Sequence, residues 1–311
     1  MTVTVPRIDT HSHVVPPEYA GWLRSLGAAA GGLPIPSWDP DAALAVMDRH
    51  SIGTAVLSVS TPGVHLGDGA DARSIARDVN DYAAQMTRDH PGRFGFFATL
   101  PLPDVDGALA ELDRAMDTLG ASGVVLLANH RGVYLGDPRF DPVFDELQRR
   151  RAVAFVHPSL LPGIEPIEGI PPFFADFLLD TTRAAINLAR SGTVERCPDV
   201  KILLSHAGGF VPYAAFRIAL AASARNDVLH GLSLLRRYYF DIALSGSPTA
   251  LPSLLAFTDP DHITFGSDWP YAPDAAVAAM TGMYESHPLD DAARAQIDRG
   301  TATTLFPSLA S

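Results

Sequence analysis

Residues 3–13 read VTVPRIDTHSH. The largely apolar run Val3–Asp9 leads directly into Asp9-Thr10-His11-Ser12-His13. A short continuous run of this kind reads as a strand buried on both faces, as in a parallel sheet covered by helices. The turn that follows is not GxGxxG, so this first strand does not open a dinucleotide-binding fold. Seven further runs resemble the first: Ala55–Val59, Phe94–Thr99, Gly123–Ala128, Ala152–His157, Lys201–Ser205, Tyr239–Ala243 and Ile263–Gly266. Helix-like segments lie between them, at Asp41–His50, Ala70–His90, Asp106–Leu119, Pro142–Arg150, Thr181–Cys197, Phe210–Ala224, Pro248–Thr258 and Asp290–Thr303. Asp41 after Pro40, Asp106, and Ser247 before Pro248 read as helix caps. Eight strand–helix repeats in 311 residues fit a (β/α)8 TIM barrel better than an open doubly wound sheet.

Two stretches are too long and too rich in Pro and Gly for plain connections, residues 14–40 and 158–175. Both follow strands, so in a barrel they lie on the C-terminal face, where long loops act as lids or substrate walls. No internal repeat, low-complexity tract or linker interrupts the pattern, so residues 1–311 read as one domain.

Composition narrows the function. Net charge is −12, which disfavours a nucleic-acid partner, since such proteins normally show a basic face. The single cysteine, Cys197, excludes an intrachain disulfide framework and a thiolate metal cage, and suits a reducing, cytoplasmic setting. No basic-then-apolar leader is visible, and no apolar run of about 18 residues predicts a membrane span. Lys201 is the only lysine. Any chemistry that needs an active-site lysine must use that one residue.

Four short segments stand at or just after predicted strand ends. They are Asp9–His13, His157-Pro158, Ser205-His206-Ala207-Gly208-Gly209 and Gly266-Ser267-Asp268-Trp269-Pro270. Strand side chains alternate faces, so His11 and His13 point the same way, with Asp9 on that face. Two imidazoles on one strand end are half a metal site. A third imidazole and one carboxylate at neighbouring positions on the barrel mouth complete an N3O set, which suits zinc with an open position. Barrel enzymes keep their chemistry at this face. His65 and His130 follow strands two and four and rim the same face. His50, His90, His230, His262 and His287 fall at helix ends or strand starts and read as structural.

At these residues the chain resembles the amidohydrolase superfamily. It is most similar to the decarboxylase branch that includes aminocarboxymuconate-semialdehyde, γ-resorcylate and 6-methylsalicylate decarboxylases. The stretches that carry the resemblance are IDTHSH, MDRHSIGTAVLSVSTPGV, SGTVERCPDVKILLSHAGGFVPYAAFRI and ITFGSDWPY, spread from residue 8 to residue 271. The resemblance implies that His11, His13, His157 and Asp268 hold one divalent transition metal, zinc or alternatively manganese, with no organic cofactor. It makes His206 a catalytic histidine beside the metal. Asp268 is a ligand, and Asp268 and His206 are the two candidates to deliver the proton. The resemblance also implies a homodimer in which Arg217 reaches the partner's site, and a substrate contact from Tyr271, with Trp269 beside it. The semialdehyde decarboxylases carry a substrate-binding arginine where this chain has Ala43, and the STPGVHLGD stretch looks more like the 6-methylsalicylate type.

The lysine count bears on the mechanism. The predicted fourth strand ends Leu127-Ala128-Asn129-His130, and Lys201 begins the sixth strand at the far end of the barrel. A carbamate-bridged metal pair and lysine Schiff-base chemistry are therefore excluded. The expected activity is non-oxidative decarboxylation of a small aromatic or conjugated carboxylic acid, such as 6-methylsalicylate. The alternative is a mononuclear hydrolase or hydratase in which a metal-bound water attacks a lactone, ester or amide. Trp38, Phe173, Phe174 and Trp269 are the aromatics available to wall a ring.

Overall fold

The computed structural model describes residues 6–309. Eight parallel strands follow one another in sequence order: β1 Arg7–His13, β2 Ile52–Ser58, β3 Phe94–Thr99, β4 Gly123–Leu127, β5 Val153–His157, β6 Lys201–Leu204, β7 Tyr239–Asp241 and β8 Ile263–Thr264. A bridge from Asp9 to Phe265 brings the end of β8 back to β1, and the Thr10 amide donates to the Phe265 carbonyl at 3.0 Å. The sheet is a (β/α)8 barrel, as the strand count predicts.

Inward-facing residues of successive strands fill the barrel, among them Ile8, Val56, Phe97, Val125, Phe155 and Leu203. Ala302, Leu305 and Phe306 plug its floor from the C-terminal helix Thr301–Leu305. A larger apolar layer lies between the sheet and the surrounding helices. Helix Gly69–Asp89 shows how the sequence builds that layer. Ala72, Ala76, Val79 and Ala83 recur at helical spacing and are all buried, which makes one apolar stripe.

Several sequence expectations are corrected. The first strand runs through both histidines to His13 rather than stopping at Asp9; Val3 to Val5 lie outside the described residues. Plain alternation is also not what aims His11. Ile8 sits in the barrel interior, so strict period two would turn His11 outward. An extra residue between Asp9 and Ser12 shifts the register against β2 and restores the inward aim. Asp9 turns instead to the loop after β8, where its carboxylate accepts from the Ser267 hydroxyl at 2.6 Å.

Residues 14–40 are not all loop, because Pro17–Ser25 forms a helix opened by proline at its first turn. Helices at Val228–Leu235 and Asp274–Ser286 escaped the sequence reading, and the expected Phe210–Ala224 shortens to Ala215–Ala222. Asp39 and Asp104, not Asp41 and Asp106, are the caps, and each accepts a hydrogen bond from the amide three residues on. Ser247 does meet the first turn of its helix, accepting from the Ala250 amide at 3.2 Å. No helix among the described residues is long and apolar enough to cross a membrane.

Candidate active site and metal centre

His11 and His13 lie near the end of β1, His157 ends β5, His206 follows β6, and Asp268 follows β8. The barrel brings these strand ends together on one face. His11 Nε2 lies 3.1 Å from His13 Nε2. Asp268 Oδ1 lies 3.0 Å from His13 Nε2 and 3.3 Å from His11 Nε2. The ligand atoms of His11, His13, His157 and Asp268 are all within 4.8 Å of one another, and all four residues are buried.

The other ring nitrogens decide what this cluster can hold. His11 Nδ1 meets Asp241 Oδ2 at 2.8 Å, and His13 Nδ1 meets the Ser58 carbonyl at 3.2 Å. His157 Nδ1 meets the Pro158 carbonyl at 2.9 Å, and His206 Nδ1 the Ala243 carbonyl at 3.2 Å. Carbonyls and carboxylates only accept, so each Nδ1 carries the proton and each Nε2 keeps its lone pair. Three lone pairs and a carboxylate oxygen gathered this closely repel one another unless a cation lies among them. The set is N3O and fits one divalent transition metal.

The electrostatics agree. Burial opposes charge on His11, but Asp241 and Asp268 together outweigh it and raise its pKa to about 10. Without a cation among the Nε2 atoms His11 would hold a second proton there, so the cluster draws positive charge to its centre. His13, His157 and His206 are lowered, by burial first and by neighbouring imidazoles next. Burial pushes Asp268 up, yet its contacts with the Nε2 atoms of His11 and His13, which a shared proton or cation would bridge, prevail and hold it well below the ordinary carboxylate range.

Asp241 was not singled out from sequence. It stands at the end of β7, in the run YFDIAL, and a carboxylate ending a buried barrel strand was the available signal. Its Oδ1 accepts from the amides of His206 at 3.0 Å and Ala243 at 2.9 Å, while Oδ2 meets His11. Both oxygens are thus in use. The grouping of His11, His206 and Asp241 supports the first cluster and is not a second metal site.

The loops that carry the site are tightly fixed. His206 has φ +52°, Ala207 +54° and Asp268 +63°, a region that residues other than glycine seldom adopt. Gly209, at φ +63°, lets this turn approach the helix Asp176–Arg190, because a Cβ there would run into the Leu178 carbonyl. The Asp268 amide donates to the His11 carbonyl at 2.8 Å, tying the two halves of the ligand set.

A cavity of about 800 Å³ opens on the cluster. His157, His206, Asp268 and Tyr271 line it, with Phe173, Phe174 and Phe177 from the segment after β5. The Tyr271 ring lies 5.3 Å from the His13 ring. Trp269 and Trp38 do not line it; they pack on each other with ring centres 6.4 Å apart. Arg217 is exposed on the helix Ala215–Ala222 and does not line the cavity of its own chain. His65 and His130 line a neighbouring chamber.

Comparison with known proteins places this geometry. The amidohydrolase family profile matches residues 8–308. The decarboxylase macB of Penicillium terrestre is 37% identical over 322 residues, covering 97% of this chain and 95% of its own. The 6-methylsalicylic acid decarboxylase of Penicillium expansum is 36% identical, with 97% of each chain covered. A crystal structure of an amidohydrolase II superposes with a TM-score of 0.91 at 30% identity, over 97% of this chain and 99% of that one. This chain therefore belongs to the amidohydrolase family.

Proposed function

We propose that the chain is a metal-dependent, non-oxidative decarboxylase of a small aromatic carboxylic acid, a 2-hydroxybenzoate such as 6-methylsalicylate. The observation that carries this reading is full-length similarity to decarboxylases. The N3O cluster beside an aromatic-lined cavity supports it. Bound among His11, His13, His157 and Asp268, one divalent ion, which we take to be zinc rather than manganese on its three imidazole ligands, supplies a Lewis acid toward the substrate's oxygen atoms.

The chain's own groups do the rest. Phe173, Phe174 and Phe177 exclude water from the ring, and Tyr271 flanks it. The ring carbon that bears the carboxylate takes a proton. The bond to the carboxylate then breaks, its electron pair restores the ring, and CO2 leaves. Asp268 and His206 are the two groups on the cavity wall that can relay that proton; each stands without it at Oδ or Nε2 and first takes it from solvent or from the substrate hydroxyl. His206 presents Nε2 because Ala243 engages Nδ1.

We further propose a homodimer. Tyr213 is 85% exposed, Phe216 71% and Leu220 47%, and together they flank Arg217 on one apolar face. In the dimer Arg217 would reach the partner's cavity, as the family resemblance implies.

Elemental analysis combined with kinetics tests the site assignment. Wild type should hold one transition-metal ion per chain, and His11→Ala should lose it. His206→Asn should keep the metal and lose about 10²–10⁴-fold in kcat, the usual contribution of an acid–base group. Two ions per chain, or metal loss in His206→Asn, contradicts the assignment. A change confined to KM would make His206 a binding group only.

A further inference from the structure

A second chamber of about 440 Å³ lies beside the site cavity, over the ends of β2 to β5. Thr61 lines both spaces, and its hydroxyl meets the Ser159 hydroxyl at 3.3 Å. That pair stands between the two. The chamber's walls are mostly aliphatic, with Val64, Leu100, Leu102, Leu127 and Leu161 among them. An apolar cavity of about 150 Å³ already admits benzene, so a substituted ring fits here.

Thr61, Thr99, Asn129 and Ser159 also line the chamber, and two imidazole nitrogens in it stand without a partner. His130 is 8% exposed, and its Nε2 has no hydrogen-bond partner among the described residues. The same holds for His65 Nδ1. Buried polar atoms normally find a partner, so an unpaired one calls for an explanation. Burial, reinforced by His65, pushes the His130 pKa down to about 3, and the ring is neutral at physiological pH. The neutral ring carries one proton; held on Nδ1, it leaves the unpartnered Nε2 as an acceptor. Arg131 also lines the space, but it is exposed and its charge is solvated.

We propose that this chamber binds a neutral phenol, whose hydroxyl donates to His130 Nε2 and whose ring packs on Leu102 and Leu127, and that it receives the product leaving the site cavity. The assignment to product rests on the proposed decarboxylation. That reaction converts a hydroxybenzoate anion into an uncharged phenol, which no longer answers to the positive charge at the metal centre. An acceptor in an aliphatic wall suits the phenol and gives a carboxylate nothing in exchange for its lost hydration.

Fluorine NMR titration of the metal-loaded protein with 3-fluorophenol counts bound environments without turnover. One environment should weaken at least tenfold in His130→Leu and disappear in Val64→Phe, which fills the chamber from another wall. It should stay within twofold of wild type in His206→Asn, a change in the other cavity, and 3-fluorobenzoate should not populate it. If His130→Leu does not fold, Val64→Phe decides with the same spectra. Absence of such an environment, or equal weakening in His206→Asn, overturns the proposal. So does 3-fluorobenzoate filling the chamber in a manner that Arg131→Ala abolishes. If the environment behaves as expected while no hydroxybenzoate is decarboxylated, the chamber stands as a phenol site and only its link to the product falls.

Discussion

The Asp241 carboxylate shows how much of the site depends on a residue that need not touch the substrate. It fixes the His11 tautomer through Nδ1 and holds the His206 turn through its backbone amide. Asp241→Asn would keep the shape, but its amide group would point a donor at His11 Nδ1. The ring proton would then move to Nε2, where a lone pair is needed. Supporting partners of metal-bound histidines typically contribute 10–100-fold in affinity. Competition with a chelator should show metal binding weakened by about that factor in Asp241→Asn; unchanged affinity would contradict the role. The four candidate ligands were legible because HxH, a histidine at one strand end and an aspartate at another all fall on one barrel face. Asp241 was not, because a single carboxylate has no spacing signature. Neither was the outward turn of Asp9, which follows from a bulge that the one-dimensional pattern does not encode.

At the scale of elements, the strands were easier to read than what connects them. Continuous apolar runs mark buried parallel strands directly, and seven of the eight lie within a few residues of their expected ends. The helix Pro17–Ser25 was hidden by the proline that opens it, and Asp274–Ser286 by its weak apolar stripe. Helix placement depends on buried polar clamps as well as on stripes. Asn80 is one such clamp between the helix Gly69–Asp89 and β3. Its amide donates to the Thr99 carbonyl at 2.9 Å and to Glu111 at 2.7 Å, and its carbonyl accepts from the Thr99 amide at 2.8 Å. Asn80→Ala would take this partner from the buried Thr99 amide and carbonyl, while Glu111 keeps Arg114. It should cost about 3 kcal/mol in denaturant unfolding, since each unsatisfied buried group costs about 1–3 kcal/mol. A loss well under 1 kcal/mol would mean that the end of β3 is fixed by packing alone.

At the scale of the molecule, an acidic chain keeps one place for positive charge. With a net charge of −12, an anionic substrate must be attracted locally, and the N3O cluster is built to hold a cation. The exposed face around Phe216 gives the dimer its own test. Sedimentation should show a dimer for wild type and a monomer for Phe216→Asp, with activity reduced as Arg217 leaves the partner's cavity. A wild-type monomer with full activity would contradict this arrangement. The barrel and its reactive face were evident from the strand count. The two chambers on that face were not, because they are shaped by loops whose course depends on packing. Incubating the metal-loaded protein with 2-hydroxy-6-methylbenzoate in D2O and examining the products tests the decarboxylation itself. A decarboxylase releases CO2 and leaves one deuterium on the ring carbon that lost it. No CO2 from any 2-hydroxybenzoate, together with hydrolysis of simple lactones or esters, would contradict it.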